Sequence, residues 1–385
     1  MESFVLPRLE PEFDFDPAAS LHFVDPLPCD RWLASSALQK AIRRGEVLTA
    51  QRALRTLYRH DPRSAWRRLL IIACEDVGIA SLPALLIAAR GSARASRQTE
   101  RDEAASLAAV RTLAEAPKDR SSDLLLAIVL HDPALETMRA RCRSVPLARR
   151  LEWAAEPTLS LRERAVAAWL ASGIESRGEA RVGPGDLGGL MRSYAGLGVP
   201  EALLEAVATT IRRTREPLAL FLPLLWLTAA GSETELAHSS PPPSGQIDGV
   251  PLYALDKHTR LGRQAIGRFA KESAPIAQFL AEHDRSRGAA ALGMAVFYAE
   301  GALIWPTLHW RGSAELAADG VAADFHKVHV AAGIGAALIR LVRAHIADLD
   351  AIRSQVLRRA LTQPPSGSVP EAREVQKERQ GGRHE

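Results

Sequence analysis

Apolar residues recur at intervals of three and four along most of this chain, the spacing of a helix that buries one face. The pattern predicts helices over Ala34–Arg44, Leu48–Tyr58 and Arg63–Asp76. In the second, Ala50, Ala53, Leu54 and Leu57 form the stripe and Arg52, Arg55 and Arg59 flank it. In the third, Trp66, Leu69, Leu70 and Ala73 face the core. Ser35 or Ser36 is placed to cap the first helix, Gly45 to end it, and Asp61 to cap the third. Shorter helices are expected over Leu82–Arg90, Glu103–Glu115, Asp123–Leu130, Pro133–Arg141 and Leu161–Leu170. Helical blocks follow from Pro200 to Ala230 and from Thr259 to Leu361. No alternating apolar run is long enough to require a sheet, so the expected fold is all-α, a multi-helix bundle.

Turn-forming and polar stretches divide the chain into five expected segments: an irregular leader over 1–29, a basic helical domain over 30–182, a glycine-rich loop with helices and a Pro/Ser linker over 183–245, a C-terminal helical block over 246–362, and a disordered tail over 363–385. With 385 residues, 47% of them hydrophobic, the chain can bury one large or two medium cores. Cys29, Cys74 and Cys142 have no paired spacing, which argues against a disulfide framework or zinc site and for a reducing cytoplasm. The N-terminus is acidic and proline-broken, unlike a signal peptide. The apolar run over 217–231 is too short to span a bilayer, and that over 288–305 carries Glu300 and reads as a core helix. No membrane association is expected.

Charge changes the picture more than composition does. The formal net charge is only +4, yet ten Lys or Arg stand against three acids between Asp30 and Leu70. Such concentrated basicity suggests a surface for an acidic partner, nucleic acid first. Within it, Ser-Ala-Leu-Gln-Lys-Ala-Ile-Arg-Arg-Gly from Ser36 to Gly45, an amphipathic helix, and Arg-Arg-Leu-Leu-Ile-Ile-Ala-Cys-Glu-Asp-Val-Gly from Arg67 to Gly78 follow one another. This order resembles the C-terminal helical region of the RarA/MgsA replication-associated recombination ATPases, relatives of clamp loaders. No Gly-x-x-x-x-Gly-Lys-Ser/Thr occurs in the chain, so the backbone cradle and lysine that hold nucleotide phosphates are missing. The resemblance implies a clamp-loader-type oligomerisation bundle with additional C-terminal helices, acting without the motor. It also implies DNA-related function, with self-association or an AAA+ ATPase partner, and a structural role for the signature residues Glu75, Asp76 and Gly78.

The leading function is therefore a non-ATPase accessory protein of DNA replication, recombination or repair. Lys40, Arg43, Arg44, Arg52, Arg55, Arg59, Arg67 and Arg68 are its candidate phosphate contacts, as an upper bound, since some will pair internally with Glu46, Glu75 or Asp76. A protein-interaction or oligomerisation module is the alternative. The segment Asp256–Arg263 sets acid, imidazole, hydroxyl and guanidinium groups at a loop-to-helix junction. There Lys257, His258, Arg260 and Arg263 are candidates for a phosphate or partner contact, against an ordinary N-cap by Asp256 or Thr259. A third reading is a metal-dependent enzyme using His258 or the His326/His329 pair, with Glu300 and His309 as possible ligands from other elements. Adjacent Glu75 and Asp76 diverge on a helix and form no catalytic pair by themselves. Gly183-Pro-Gly-Asp-Leu-Gly188 fits Gly-x-Gly-x-x-Gly but follows no buried strand and reads as a loop capped by Asp186. No nucleophile motif is present. The expectation is no enzyme, no cofactor and no resident metal.

Overall fold

A computed structural model describes residues 24–94, 100–175, 183–283 and 288–362. The expected tail, most of the leader and the last residues of the expected basic helical domain, 176–182, lie outside the described residues. The fold is all-α. The first helices are α1 (Arg31–Arg44), α2 (Val47–His60), α3 (Pro62–Ile72), α4 (Leu82–Arg94), α5 (Glu100–Glu115) and α6 (Ser121–His131). They are followed by α7 (Glu136–Ser144), α8 (Leu147–Ala155), α9 (Leu161–Ser172), α10 (Leu187–Gly196), α11 (Glu201–Thr214) and α12 (Leu222–Ala230). The last group is α13 (Arg260–Glu272), α14 (Ala274–Glu282), α15 (Gly288–Val296), α16 (Ser313–Lys327), α17 (Ala332–Ala344) and α18 (Ile346–Thr362).

Local chemistry sets several boundaries. Asp61 accepts from the Arg63 amide at 3.0 Å and starts α3, with Pro62 at the first helical position. Gly45 ends α1 in the left-handed conformation. Asp186 caps α10 through the Gly189 amide. The first helix begins earlier than expected. Asp30 caps it through the amides of Trp32 and Leu33, and Ser36 instead donates its hydroxyl to the Ala254 carbonyl at 2.8 Å.

Two helices end in single wide turns of π geometry, Ala73–Val77 after α3 and Phe297–Gly301 after α15. Such turns insert a residue without breaking the helix and re-aim the side chains that follow. Two short antiparallel pairs also appear, β1 (Thr234–Ala237) with β4 (Thr307–Trp310) and β2 (Gln246–Ile247) with β3 (Val250–Pro251). Their strands are too short to show as alternation in the sequence.

One hydrophobic core runs through all the described blocks, from Leu38, Leu54 and Trp66 through Phe221 to Phe269 and Phe325. The helix α1 packs on α2, while α6 from the first half packs along α16 from the second. A Cβ at Gly320 would lie 2.7 Å from the Leu124 side chain, so glycine there lets these two helices approach closely. The Pro/Ser stretch is tied down as well: Trp305 donates its indole N–H to the His238 carbonyl and Arg44 donates to the Pro242 carbonyl. Of the expected leader, Val24 and Leu27 are buried. The expected segments are thus not separate cores. Among the described residues no single helix is long and apolar enough to cross a membrane.

Candidate functional site

The basic stretch divides into two populations. Lys40, Arg43 and Arg44 on α1 are buried, at 4%, 1% and 7% exposure, and are bonded inside the molecule. Lys40 donates to Asp256 Oδ2 at 2.7 Å and to the Ser36 hydroxyl at 2.6 Å. Arg43 donates to Asp76 Oδ1 (2.6 Å), Glu75 Oε1 (2.7 Å) and the Gly301 carbonyl (2.6 Å), joining the two π turns. Arg44 pairs with Glu46 at 2.9 Å. These three are corrected from surface phosphate contacts to internal partners, because burying a cation requires a carboxylate or carbonyl beside it.

Arg52, Arg55 and Arg68 are half-buried. Arg52 donates to the Asp25 carbonyl, Arg55 to Glu103 and the Val24 carbonyl, and Arg68 to the Gln39 side chain. Of the eight candidates, Arg59 and Arg67 remain exposed.

The signature residues sit at the centre of this network. Asp76 is fully buried and accepts from Arg43 and from the Gln39 amide at 2.8 Å, with Arg120 at 3.2 Å. Burial works against the charge on Glu75, but Arg43, Arg120 and Arg68 hold its carboxyl below the ordinary range. Gly78 follows at φ +54°, and a Cβ there would lie 2.5 Å from the Asp119 carbonyl oxygen. Arg120 also pairs with Asp123. Three cations surround one ring: the Phe297 centroid is 5.4 Å from Arg43 Cζ, 5.2 Å from Arg120 Cζ and 4.8 Å from Lys257 Nζ. Arg43 and Arg120, which also pair with Glu75 and Asp76 of the first π turn, thereby link that turn to Phe297 of the second, on which Lys257 also lies. The arrangement is a scaffold of paired charges; it presents no activated nucleophile.

The Asp256–Arg263 segment does not converge on its helix. Thr259 caps α13 through the Gly262 amide at 3.0 Å, so that donor is already taken. Burial opposes the charge on Asp256, but Lys40 and the His258 amide hold it down at about 2. Lys257 turns away toward Met294 and Phe297, and desolvation draws the His258 imidazole below its ordinary value. Arg260 and Arg263 are exposed.

His329 lies beyond the end of α16 in the left-handed conformation, Glu300 accepts from Arg353 at 2.6 Å, and Asp324 accepts from the Tyr298 hydroxyl at 2.7 Å. Among the described residues no group of three or more His, Cys, Asp or Glu is close enough to hold a metal.

An arginine cluster forms where α3, α4 and α11 meet, joining the candidate Arg67 to Arg63 and Arg213, which the sequence did not single out. Arg63, Arg67 and Arg213 line a concavity of about 520 Å3 with Ser64, Ser92 and Trp66; among the described residues no acid lines it, and the nearby Asp61 and Asp102 accept from Ser64 and from the Trp66 indole. Arg67 donates to the Thr214 carbonyl at 2.8 Å and Arg213 to the Ala93 carbonyl at 3.1 Å, which pins both guanidinium groups at the rim. Arg59, Arg212 and Arg215 stand exposed at the ends of α2 and α11. The basic run around Arg212 was visible in the sequence, but nothing local tied it to Arg63. No protein-family model matches the chain, and neither a curated protein nor a solved structure matches it.

Proposed function

We propose that this chain is a non-ATPase accessory protein of DNA replication, recombination or repair that holds the DNA phosphate backbone through an arginine face. The contacts belong to Arg63, Arg67 and Arg213, with Arg59, Arg212 and Arg215 around them, and not to the buried cations of α1. What supports this reading is the concavity into which three guanidinium groups from two helices converge, with no acid among its described lining residues. Guanidinium groups fork onto phosphate oxygens, and two of these three are already held in place by carbonyls, so little side-chain freedom is lost on binding. Contacts of this kind position a duplex without reading bases and weaken steeply with salt.

A fluorescence titration against forked, single-stranded and duplex DNA at two salt concentrations tests the proposal. Binding that falls with salt and weakens in Arg63→Gln/Arg67→Gln/Arg213→Gln is expected. No binding at low salt overturns it.

A further inference from the structure

On other elements, α13, α15 and the end of α16 enclose a second concavity of about 520 Å3, within the size range of small-molecule sites. Lys257, Arg263 and Lys327 are its charged lining residues, His258 stands among them, and among the described residues no carboxylate lines it. Lys257 is the inner cation. Its Nζ contacts are the Met294 thioether, at 2.9 Å, and the Phe297 ring, both weak partners for an ammonium. Neighbouring acids are already engaged: Asp256 with Lys40 and the His258 amide, Asp324 with Tyr298. Burial, with Lys327 adding to it, draws Lys257 below its ordinary value against the opposing pull of Asp324, Asp256 and Asp123, none of which bonds its ammonium directly.

The remaining wall is apolar. Ile266, Met294 and Val328 supply surface, while Gly267, Ala289 and Gly293 leave space that larger residues would fill. A cationic end beside an apolar wall satisfies neither a bare inorganic anion nor a neutral hydrocarbon. We infer that this concavity binds a small organic anion with an apolar body, its carboxylate or phosphate head held by Lys257, Arg263 and Lys327. The head supplies a direct charged acceptor in place of the thioether and ring, and the body displaces water from the Ile266, Met294 and Val328 surface.

Calorimetric titration of the full chain with octanoate and octyl phosphate, against octanol and inorganic phosphate, tests the inference. One site per chain is expected for at least one amphiphilic anion, with octanol and inorganic phosphate at least about tenfold weaker. Lys257→Met keeps the length of the side chain and removes its charge, and is expected to weaken binding by roughly ten- to a hundredfold, the worth of a charge-assisted hydrogen bond. Gly267→Leu fills the space. A Cβ at Gly267 meets nothing within 4 Å and leucine is the better helix former, so this variant keeps the fold. Lys327→Met, at an exposed position, repeats the charge test should Lys257→Met fail to fold. Loss of binding in Gly267→Leu and in a lysine variant supports the inference. No binding by either anion overturns it, as does octanol binding as tightly as octanoate, inorganic phosphate as tightly as octyl phosphate, or binding unchanged in Gly267→Leu and the lysine variants.

Discussion

Replacing Arg43 by methionine removes three hydrogen bonds at once from the buried junction of the two π turns. The guanidinium, 1% exposed, spans Asp76, Glu75 and the Gly301 carbonyl at 2.6–2.7 Å. Deleting one partner of a buried charged set costs about 3–5 kcal/mol, because the other partner stays behind uncompensated. Asp76 would retain Gln39 and Arg120, which places the expected loss near the lower end, about 3 kcal/mol. That is a large share of the 5–15 kcal/mol typical of a folded domain, roughly. Urea denaturation followed by tryptophan fluorescence and far-UV circular dichroism measures it. A cycle with Asp76→Asn isolates the pair: the double variant should lose less than the sum of the two single losses, by about 1–3 kcal/mol. A solvent-facing phosphate contact behaves differently, costing under about 0.5 kcal/mol of stability while weakening DNA binding. That pattern in Arg43→Met would refute the internal assignment.

Two further outcomes follow from the same geometry. Burial pulls Lys118 down to about 7 from its ordinary 10.5, so between those values the unfolded chain binds the extra proton and stability rises with pH. From pH 7 to pH 9 the wild type should gain up to about 3 kcal/mol that Lys118→Met does not; an equal rise in both proteins contradicts this. Gly78→Ala should cost about 3 kcal/mol or more, since φ +54°, ψ −135° is glycine backbone and the added Cβ meets the Asp119 carbonyl. A melting temperature equal to the wild type's would show that the turn relaxes without strain.

Local signals were legible in the sequence, and pairings across the chain were not. Gly45, Asp61, Asp186 and Thr259 act within three residues of the helix ends they define, so composition and order sufficed to find them. Asp30 was missed as a cap because Ser35 and Ser36 lie nearer the first obvious apolar stripe, and Ser36 has a tertiary task, bonding Ala254. The π turns leave the apolar pattern nearly unchanged and were invisible. The α1 cations are the clearest case. The second half of α1 is buried nearly all the way round, so Arg43 sits inside although its neighbours Ala41 and Ile42 point elsewhere, and its carbonyl partner, Gly301, lies 258 positions away. Charge density along α1–α3 reads as a surface for an acidic partner, but for these residues the acids are Glu75, Asp76 and Asp256 of the same chain. The arginines of the open concavity draw on α3 and α11, far apart in sequence and joined only by packing.

Whether Arg63, Arg67 and Arg213, rather than Lys40, Arg43 and Arg44, carry the DNA contacts is read most directly from the slope of log affinity against log salt on duplex DNA. Each neutralised phosphate contributes about −0.9 to that slope. The Arg63→Gln/Arg67→Gln/Arg213→Gln variant is expected to keep its urea midpoint while the slope shrinks by up to about 3. An unchanged slope and affinity in that variant, or no binding by the wild type at low salt, would contradict the account.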